Sequence, residues 1–439
     1  MLNPAMQPDP RQIFDGIAFS RQTGVIAAVS GGGDSLALLL LLKEFLDLQA
    51  GAPALTAVTV DHALRAEAAE EARFVAALCA SRGIAHCTMV WRGEKPATGI
   101  SAAARSARLS LLAQAAREAG VGLVFTGHTR DDQAETVSMR AGRGTGLGTG
   151  LGGAGIAPAS LYEGAIWFVR PLLSHGRADL RSYLASRDVC WIDDPTNDDT
   201  TYERVRVRRS LTAEMAARRI AEAETAAARR VALGARAARL IDGHACCVAP
   251  GLYRVDPAFV EDADAEAALH ALRVLTAMAG GALHLPSEEP SARVLAGLRA
   301  GVCATLSRAV IDRRASGIYL HRERRNLPTG NEATRKVLWD RRYRLSAPEG
   351  LHIAPFGAAA RDLLPEANPT LPQDLLFAAQ FAEPALWRDD ICIGPARMAL
   401  PGNGIGVPAP WAHLLPSFDV DVAQALIRLV GCKTVLKLP

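Results

Sequence analysis

Residues 24–42 constrain the fold more than any other stretch of this chain. The apolar run Gly24-Val25-Ile26-Ala27-Ala28-Val29 leads into Ser30-Gly31-Gly32-Gly33-Asp34-Ser35, and Leu36-Ala37-Leu38-Leu39-Leu40 follows directly. That pattern predicts a buried strand, a sharp glycine turn and a buried helix. Three glycines let the backbone turn tightly and approach a ligand without Cβ interference. The helix start then aims free N–H groups at an anion, and Asp34 adds a carboxylate where a divalent cation bridges phosphate oxygens. No Gly-Lys-Ser/Thr follows, so the loop is not of the Walker type. The competing reading is a Gly/Ser turn that binds nothing.

The first half of the chain alternates two periodicities. Strands are predicted at 24–29, 55–60, 85–91, 121–126 and 165–170, and helices at about 36–48, 67–82, 101–119, 131–141 and 176–187. Such alternation implies an α/β fold, a parallel sheet with helices on both faces. Ligands of these sheets bind at the carboxyl ends of the strands. Ser30, Asp61-His62 and Gly127-His128 each follow a strand end, so they are expected on one rim. A glycine-rich loop occupies 142–155, and an Ala/Arg/Glu helical segment runs from about 203 to 240. The remainder reads as helical to about 300 and then mixed, with Pro/Gly joints at 326–331, 347–358 and 400–410. The expected domains are a catalytic domain at 1–215, a mostly helical one at 216–330 and a mixed α/β accessory one at 331–439.

Composition narrows the class. The chain has 439 residues, enough for two to four domains, and a net charge of +3. The apolar run at 36–42 stops at Lys43, far short of a membrane span. Residues 1–21 lack a basic start followed by an apolar stretch, so no secretory signal is expected. The eight cysteines form no C-x-x-C pair and fit neither a zinc site nor a disulfide framework. They read as reduced, mostly structural thiols of a cytoplasmic protein. Five of the 49 basic residues are lysines, and the rest are arginines, whose planar fork suits phosphate.

Two further motifs sit at strand ends: Asp61-His62-Ala63-Leu64-Arg65 and Gly127-His128-Thr129-Arg130-Asp131-Asp132-Gln133-Ala134-Glu135-Thr136. Each alone reads as a helix cap with acidic first-turn residues. Capping does not explain why both accompany the glycine loop. Ala-Arg-Ser-Ala-Arg (104–108), Arg-Gly-Thr-Gly (143–146), Arg-Pro-Leu-Leu (170–173), Trp-Ile-Asp-Asp-Pro-Thr-Asn (191–197) and Tyr-Glu-Arg-Val-Arg-Val-Arg (202–208) complete an ordered set. Across residues 30–208 that set resembles the tRNA(Ile)-lysidine synthetase family of the PP-loop ATP pyrophosphatase superfamily. The chain departs from the family at Val205, where Asn is usual, and by one residue in the glycine loop.

The resemblance implies that ATP and free L-lysine convert the wobble cytidine of a CAU-anticodon isoleucine tRNA into lysidine, releasing AMP and pyrophosphate. The C2 carbonyl of cytidine is a poor electrophile, so its oxygen must first become a leaving group by adenylation. By resemblance and by physics, Ser30, Gly31, Gly32, Gly33, Asp34 and Ser35 hold ATP. Asp34 with Asp131 or Asp132 holds Mg²⁺. Arg105 or Arg108, at i and i+3 on one helix, supplies a transition-state guanidinium; an exposed solubilising face is the bland alternative. Asp61, His62, Arg65, His128 and Glu135 are candidate substrate or orienting residues, with His128 a hydrogen-bond partner rather than a base. Which carboxylate deprotonates lysine stays open, Asp61 being one candidate.

Residues 203–239 hold ten arginines and four glutamates, an excess that favours phosphate binding over a merely solvated helix. Arg143, Arg204, Arg206 and Arg208 are the expected tRNA contacts. In an extended segment the last three share a face, whereas in a helix Arg204 and Arg208 pair. Alternatives are another PP-loop tRNA-modifying enzyme such as a thiolase, a small-molecule amide synthetase, or a non-catalytic RNA-binding protein. Paired cysteines and a glutaminase motif are missing, and intact Asp34, Asp131 and Asp132 argue against a decayed site. Nothing in the sequence fixes the oligomeric state, a homodimer being one expectation.

Overall fold

The computed structural model describes residues 7–64, 67–143, 151–193, 199–328, 336–363, 371–397, 405–432 and 434–439. The chain divides into two compact units, Met1–Arg230 with Lys437–Pro439, and Val231–Leu436.

In the first unit α1 (Pro10–Phe14) precedes β1 (Gly24–Ala28), α2 (Gly33–Asp47), β2 (Ala54–Asp61), α3 (Ala68–Ser81), β3 (Ala85–Val90) and α4 (Ile100–Glu118). Then come β4 (Leu123–Thr126), α5 (Arg130–Gly142), β5 (Ala159–Tyr162), β6 (Ile166–Val169), α6 (Arg177–Ala185) and α7 (Glu203–Ser210), and α8 (Ala213–His244) carries the chain from this unit into the second. The strands of this unit lie in the order β5-β6-β4-β1-β2-β3. All pair in parallel except β5, which runs antiparallel to β6. β1 is buried along its whole length, as a strand covered on both faces must be. Leu36–Leu42 of α2 is wholly buried, so the helix shows no polar stripe there. The chain leaves β1 toward β2 and β3 on one side and returns to β4 on the other. This makes the carboxyl ends of β1 and β4 the switch point where ligands bind.

Each of the five strands expected in this half is present, and β5 is an addition. Its four residues are too few for period-two alternation to stand out.

The second unit is built on an antiparallel sheet of β7 (Ala245–Ala249), β8 (Leu252–Val255), β9 (Ala304–Leu306), β10 (Ala309–Arg314) and β11 (Gly317–Arg322), in the order β7-β8-β11-β10-β9. Helix α9 (Ala265–Gly280) packs on β10 and β11, and α10 (Glu288–Arg299) packs on α9. Two three-stranded sheets follow. One comprises β12 (Lys336–Trp339), β13 (Tyr343–Ser346) and β17 (Ile405–Gly406), the other β14 (His352–Pro355), β15 (Pro384–Arg388) and β16 (Ile391–Pro395). The hairpin β7–β8 corrects the helical reading of 244–300, because so short an apolar run does not separate strand from helix. The thiols are corrected too: all are free, but only Cys79 is fully buried, so most of them fill no core position. Among the described residues no helix is long and apolar enough to cross a membrane.

Candidate active site

The loop after β1 is shaped by its own side chains. Gly31 has φ +86°, and its carbonyl accepts a hydrogen bond from the Ile192 N–H at 2.9 Å. A Cβ there would also meet the Ile192 side chain at 2.9 Å, so glycine is required twice over. Ser35 Oγ accepts from the Ser30 N–H at 3.1 Å and donates to the Gly32 carbonyl at 2.9 Å, closing the loop on itself. Gly32 caps α2 without a side-chain hydrogen bond, leaving the first N–H groups of the helix to a ligand. At the end of β4, a Cβ on Gly127 would lie 2.9 Å from the Asp34 carbonyl. Glycine there lets the chain after β4 lie against the first turn of α2.

A cleft of about 820 Å³ opens at this rim, within the size range of small-molecule sites. Its walls include Ser30, Gly32, Gly33, Asp34, Ser35, Arg108, His128, Asp132, Arg177, Arg204, Val205 and Arg208. Behind them lies a network of carboxylates and guanidinium groups. Arg177, the first residue of α6, donates from Nε to Asp34 Oδ2 at 3.1 Å, from Nη2 to Asp132 Oδ1 at 3.1 Å and from Nη1 to Glu135 Oε1 at 3.4 Å. Arg204 donates to Asp132 Oδ1 at 2.9 Å and Glu135 Oε2 at 2.6 Å, and Arg208 to Glu135 Oε1 at 2.7 Å. Helix α7 places Arg204 and Arg208 one turn apart on the same side, so the helical pairing holds and the extended one does not.

Asp132 serves two purposes. Its Oδ2 accepts from the Thr129 N–H at 2.8 Å in a capping box, while Oδ1 takes the two arginines. Asp131 instead accepts the Arg177 backbone N–H at 2.7 Å and so anchors the start of α6. Between these neighbours the structure sets Asp132, not Asp131, at the cleft wall. Asp34 Oδ1 is buried with no hydrogen-bond partner among the described residues. Burial pushes the Asp34 carboxyl above its ordinary value, against the pull of Arg177. Burial also opposes the charge on Arg177, yet Asp132, Asp34 and Glu135 together hold it well above the ordinary range.

His128 Nδ1 lies 3.0 Å from Thr126 Oγ1. Burial, then Arg170 and Arg108, push its pKa down to about 3, so the ring is neutral at working pH. Arg108 is half-buried at the cleft wall, while Arg105, three residues earlier, is exposed and outside its lining. Asp61 accepts from the Ala63 N–H at 2.7 Å in a local turn, and His62 packs edge-on to Trp91; both lie outside the cleft lining. Arg143 pairs with Glu203, bracing α5 against α7. Arg206 donates to the carbonyls of Thr200 and Thr201 at 2.7 Å each, apart from the Glu135 network. Arg65, half of the glycine loop (144–150) and Asp194 lie outside the described residues.

Sequence reasoning overlooked Arg177. A signal was available: Gly176-Arg177 opens the helix that follows the strand at 166–169, the same strand–turn–helix position as the other motifs. Trp191 and Ile192 were likewise read only as part of a motif. They form the loop's backing, with Trp191 3.5 Å from a Cβ built on Gly33.

The PP-loop domain model matches residues 6–215. A curated tRNA(Ile)-lysidine synthase from Mesorhizobium japonicum is 46% identical over 438 residues, covering 97% of this chain and 96% of its own. The chain belongs to the tRNA(Ile)-lysidine synthase family. The Brucella ovis lysidine synthase is 38% identical, with 96% of this chain and 98% of its own covered. A solved U34-tRNA thiolase, NcsA from Methanococcus maripaludis, is 16% identical with a TM-score of 0.41, covering 50% of this chain and 77% of that one. At that score the likeness carries no weight. Family membership assigns the mostly parallel sheet and its glycine loop to the ATP-using PP-loop fold of lysidine synthases.

Proposed function

We infer that this chain ligates L-lysine to C2 of the wobble cytidine of a CAU-anticodon isoleucine tRNA, converting AUG reading to AUA reading. The observation that carries the reading is identity with lysidine synthases over nearly the whole length of both chains. The reaction runs in two displacements. Cytidine O2 attacks the α-phosphorus of ATP and pyrophosphate leaves; the lysine amine then attacks C2, and AMP leaves with the C2–O bond electrons.

The N–H groups at the start of α2, with Ser30 and Ser35, receive the leaving phosphates. Arg108 directs its guanidinium at the charge that develops on them, while Arg105 remains the exposed alternate. Neutral His128 orients the cytosine by hydrogen bonding and is not in its cationic, acid form at pH 7. Buried Glu135 positions Arg204 and Arg208 from behind. The donor set fits Mg²⁺: Asp34 Oδ1 has no hydrogen-bond partner among the described residues, Asp132 lies across the same guanidinium, and Mg²⁺ needs only one or two carboxylates beside phosphate oxygens. When bound, the ion neutralises phosphate charge.

Arg143 and Arg206, at the exposed edge, and the regions 216–330 and 331–439 contact tRNA. The enzyme works in the cytoplasm, and a homodimer is tested by light scattering. A pyrophosphate-release assay with one substrate omitted at a time tests the reaction: release requires tRNA, and turnover requires lysine. Release sustained by ATP and water alone would remove the ligase reading.

A further inference from the structure

The strongest unassigned feature is the guanidinium of Arg177. It makes hydrogen bonds to three carboxylates, Asp34, Asp132 and Glu135, contributed by two different helices, α2 and α5. It is one-fifth exposed, on the cleft wall, and its backbone is fixed by Asp131. Among the described residues no group of three or more histidine, cysteine, aspartate or glutamate side chains is gathered as a ready metal cage. Like charges drawn this close repel unless a cation lies between them. Arg204 and Arg208 share that task at Asp132 and Glu135, and Arg177 extends it to Asp34.

We propose that Arg177 is a positioning residue that stands in for the divalent cation: it neutralises Asp34 and Asp132 in the nucleotide-free protein and yields Asp34 when the metal–nucleotide complex enters. This rests on the assignment of Asp34 as a metal ligand. The geometry distinguishes the two oxygens of Asp34. Arg177 Nε engages Oδ2, while Oδ1 is buried with no hydrogen-bond partner among the described residues. A metal held by Oδ1 would sit near a fixed positive charge, which opposes its binding until phosphate oxygens supply compensating negative charge. The released guanidinium has a new acceptor in those same oxygens, for which its planar fork is suited. Metal therefore binds only together with nucleotide. The carboxylates cannot collect a free cation and hold it in the wrong place.

Mn²⁺ binding followed by electron paramagnetic resonance tests this without turnover. In the unaltered protein, Mn²⁺ binds tightly only when a non-hydrolysable ATP analogue is present, and D34N abolishes that dependence. In R177M Asp34 loses its arginine while Asp132 and Glu135 keep Arg204 and Arg208, and Mn²⁺ affinity without nucleotide rises by on the order of tenfold or more. R177K, which cannot bridge Asp34 and Asp132 with one planar group, gives a smaller rise and covers the case in which R177M does not fold. Unchanged or weaker nucleotide-free Mn²⁺ binding in the folded variants would overturn the stand-in role. If the unaltered protein fails to bind Mn²⁺ even with the analogue, the metal assignment to Asp34 fails instead, and the two failures are distinct.

Discussion

Two arginine–carboxylate networks in this chain look alike in composition and differ in what surrounds them. In the first unit Arg177, Arg204 and Arg208 meet Asp34, Asp132 and Glu135 at the wall of an open cleft, with the arginines 20–32% exposed. In the second unit Arg322 binds Asp340 at 2.9 Å, Arg308 binds the same carboxylate at 2.8 Å, and Arg342 binds Glu383 at 2.6 Å. Arg322 is fully buried there and Arg342 nearly so. This second network ties β11, the turn after β12 and the segment after α12 (Gln373–Phe381) into one interior. Removing a partner from a buried pair leaves an uncompensated charge. A partner taken from the cleft is replaced by water or by a ligand. The same chemistry therefore holds a fold together in one place and stays exchangeable in the other.

The sharpest separation comes from one substitution in each network. Asp34→Asn lowers pyrophosphate release by on the order of a thousandfold, because the carboxylate proposed to hold Mg²⁺ is lost, and leaves the unfolding midpoint in place. Near-normal turnover at saturating Mg²⁺ would break the comparison. Asp340→Ala does the reverse. It takes a shared carboxylate from Arg322, Arg308 and Arg342 and costs about 3–5 kcal/mol of stability in denaturant unfolding, while the protein that remains folded keeps its ATP affinity. A smaller effect separates Arg206 from Arg204 and Arg208 within α7. Arg206→Ala reduces the slope of log affinity for tRNA against log salt by about one, and Arg204→Ala lowers turnover more than it changes that slope. Equal slope changes at both positions would return Arg204 to the role of a simple phosphate contact.

The smallest expected effect is on pH dependence. His128 is held down to about 3 from an ordinary 6.5 by burial and by neighbouring arginines. The folded state resists its protonation, so the stability linked to His128 is complete above pH 6.5 and is lost as pH falls from there toward 3. His128→Gln accordingly leaves any limb of the rate profile between about pH 6 and 8 where it was. A limb that disappears in the variant would assign the titration to His128.

β1, β4, β6 and the glycine loop were legible because burial on both faces of a parallel sheet leaves continuous apolar runs, and because a strand end followed by glycine has few other uses. Choosing between neighbours was beyond the sequence. Asp131 and Asp132 are equivalent as letters, and only the capping box at Thr129 decides which one reaches the arginines. Arg105 and Arg108 share a helix at i and i+3, and the way α4 lies on the sheet brings one to the cleft and leaves the other in solvent. Arg177 stayed hidden because Arg-Ala-Asp-Leu-Arg-Ser-Tyr-Leu reads as an ordinary amphipathic turn of helix. Its three carboxylate partners lie 42 or more residues away.

The central claim is that the cleft of the first unit joins lysine to a cytidine through ATP. Mass analysis of CAU-anticodon isoleucine tRNA after incubation with the protein, ATP, Mg²⁺ and lysine tests it most directly. The wobble cytidine is expected to gain the mass of one lysine less one water, the gain to vanish without ATP, and a CAU-anticodon methionine tRNA to be left unchanged. A wobble nucleotide of unaltered mass while ATP is consumed, or one carrying sulfur, would contradict it.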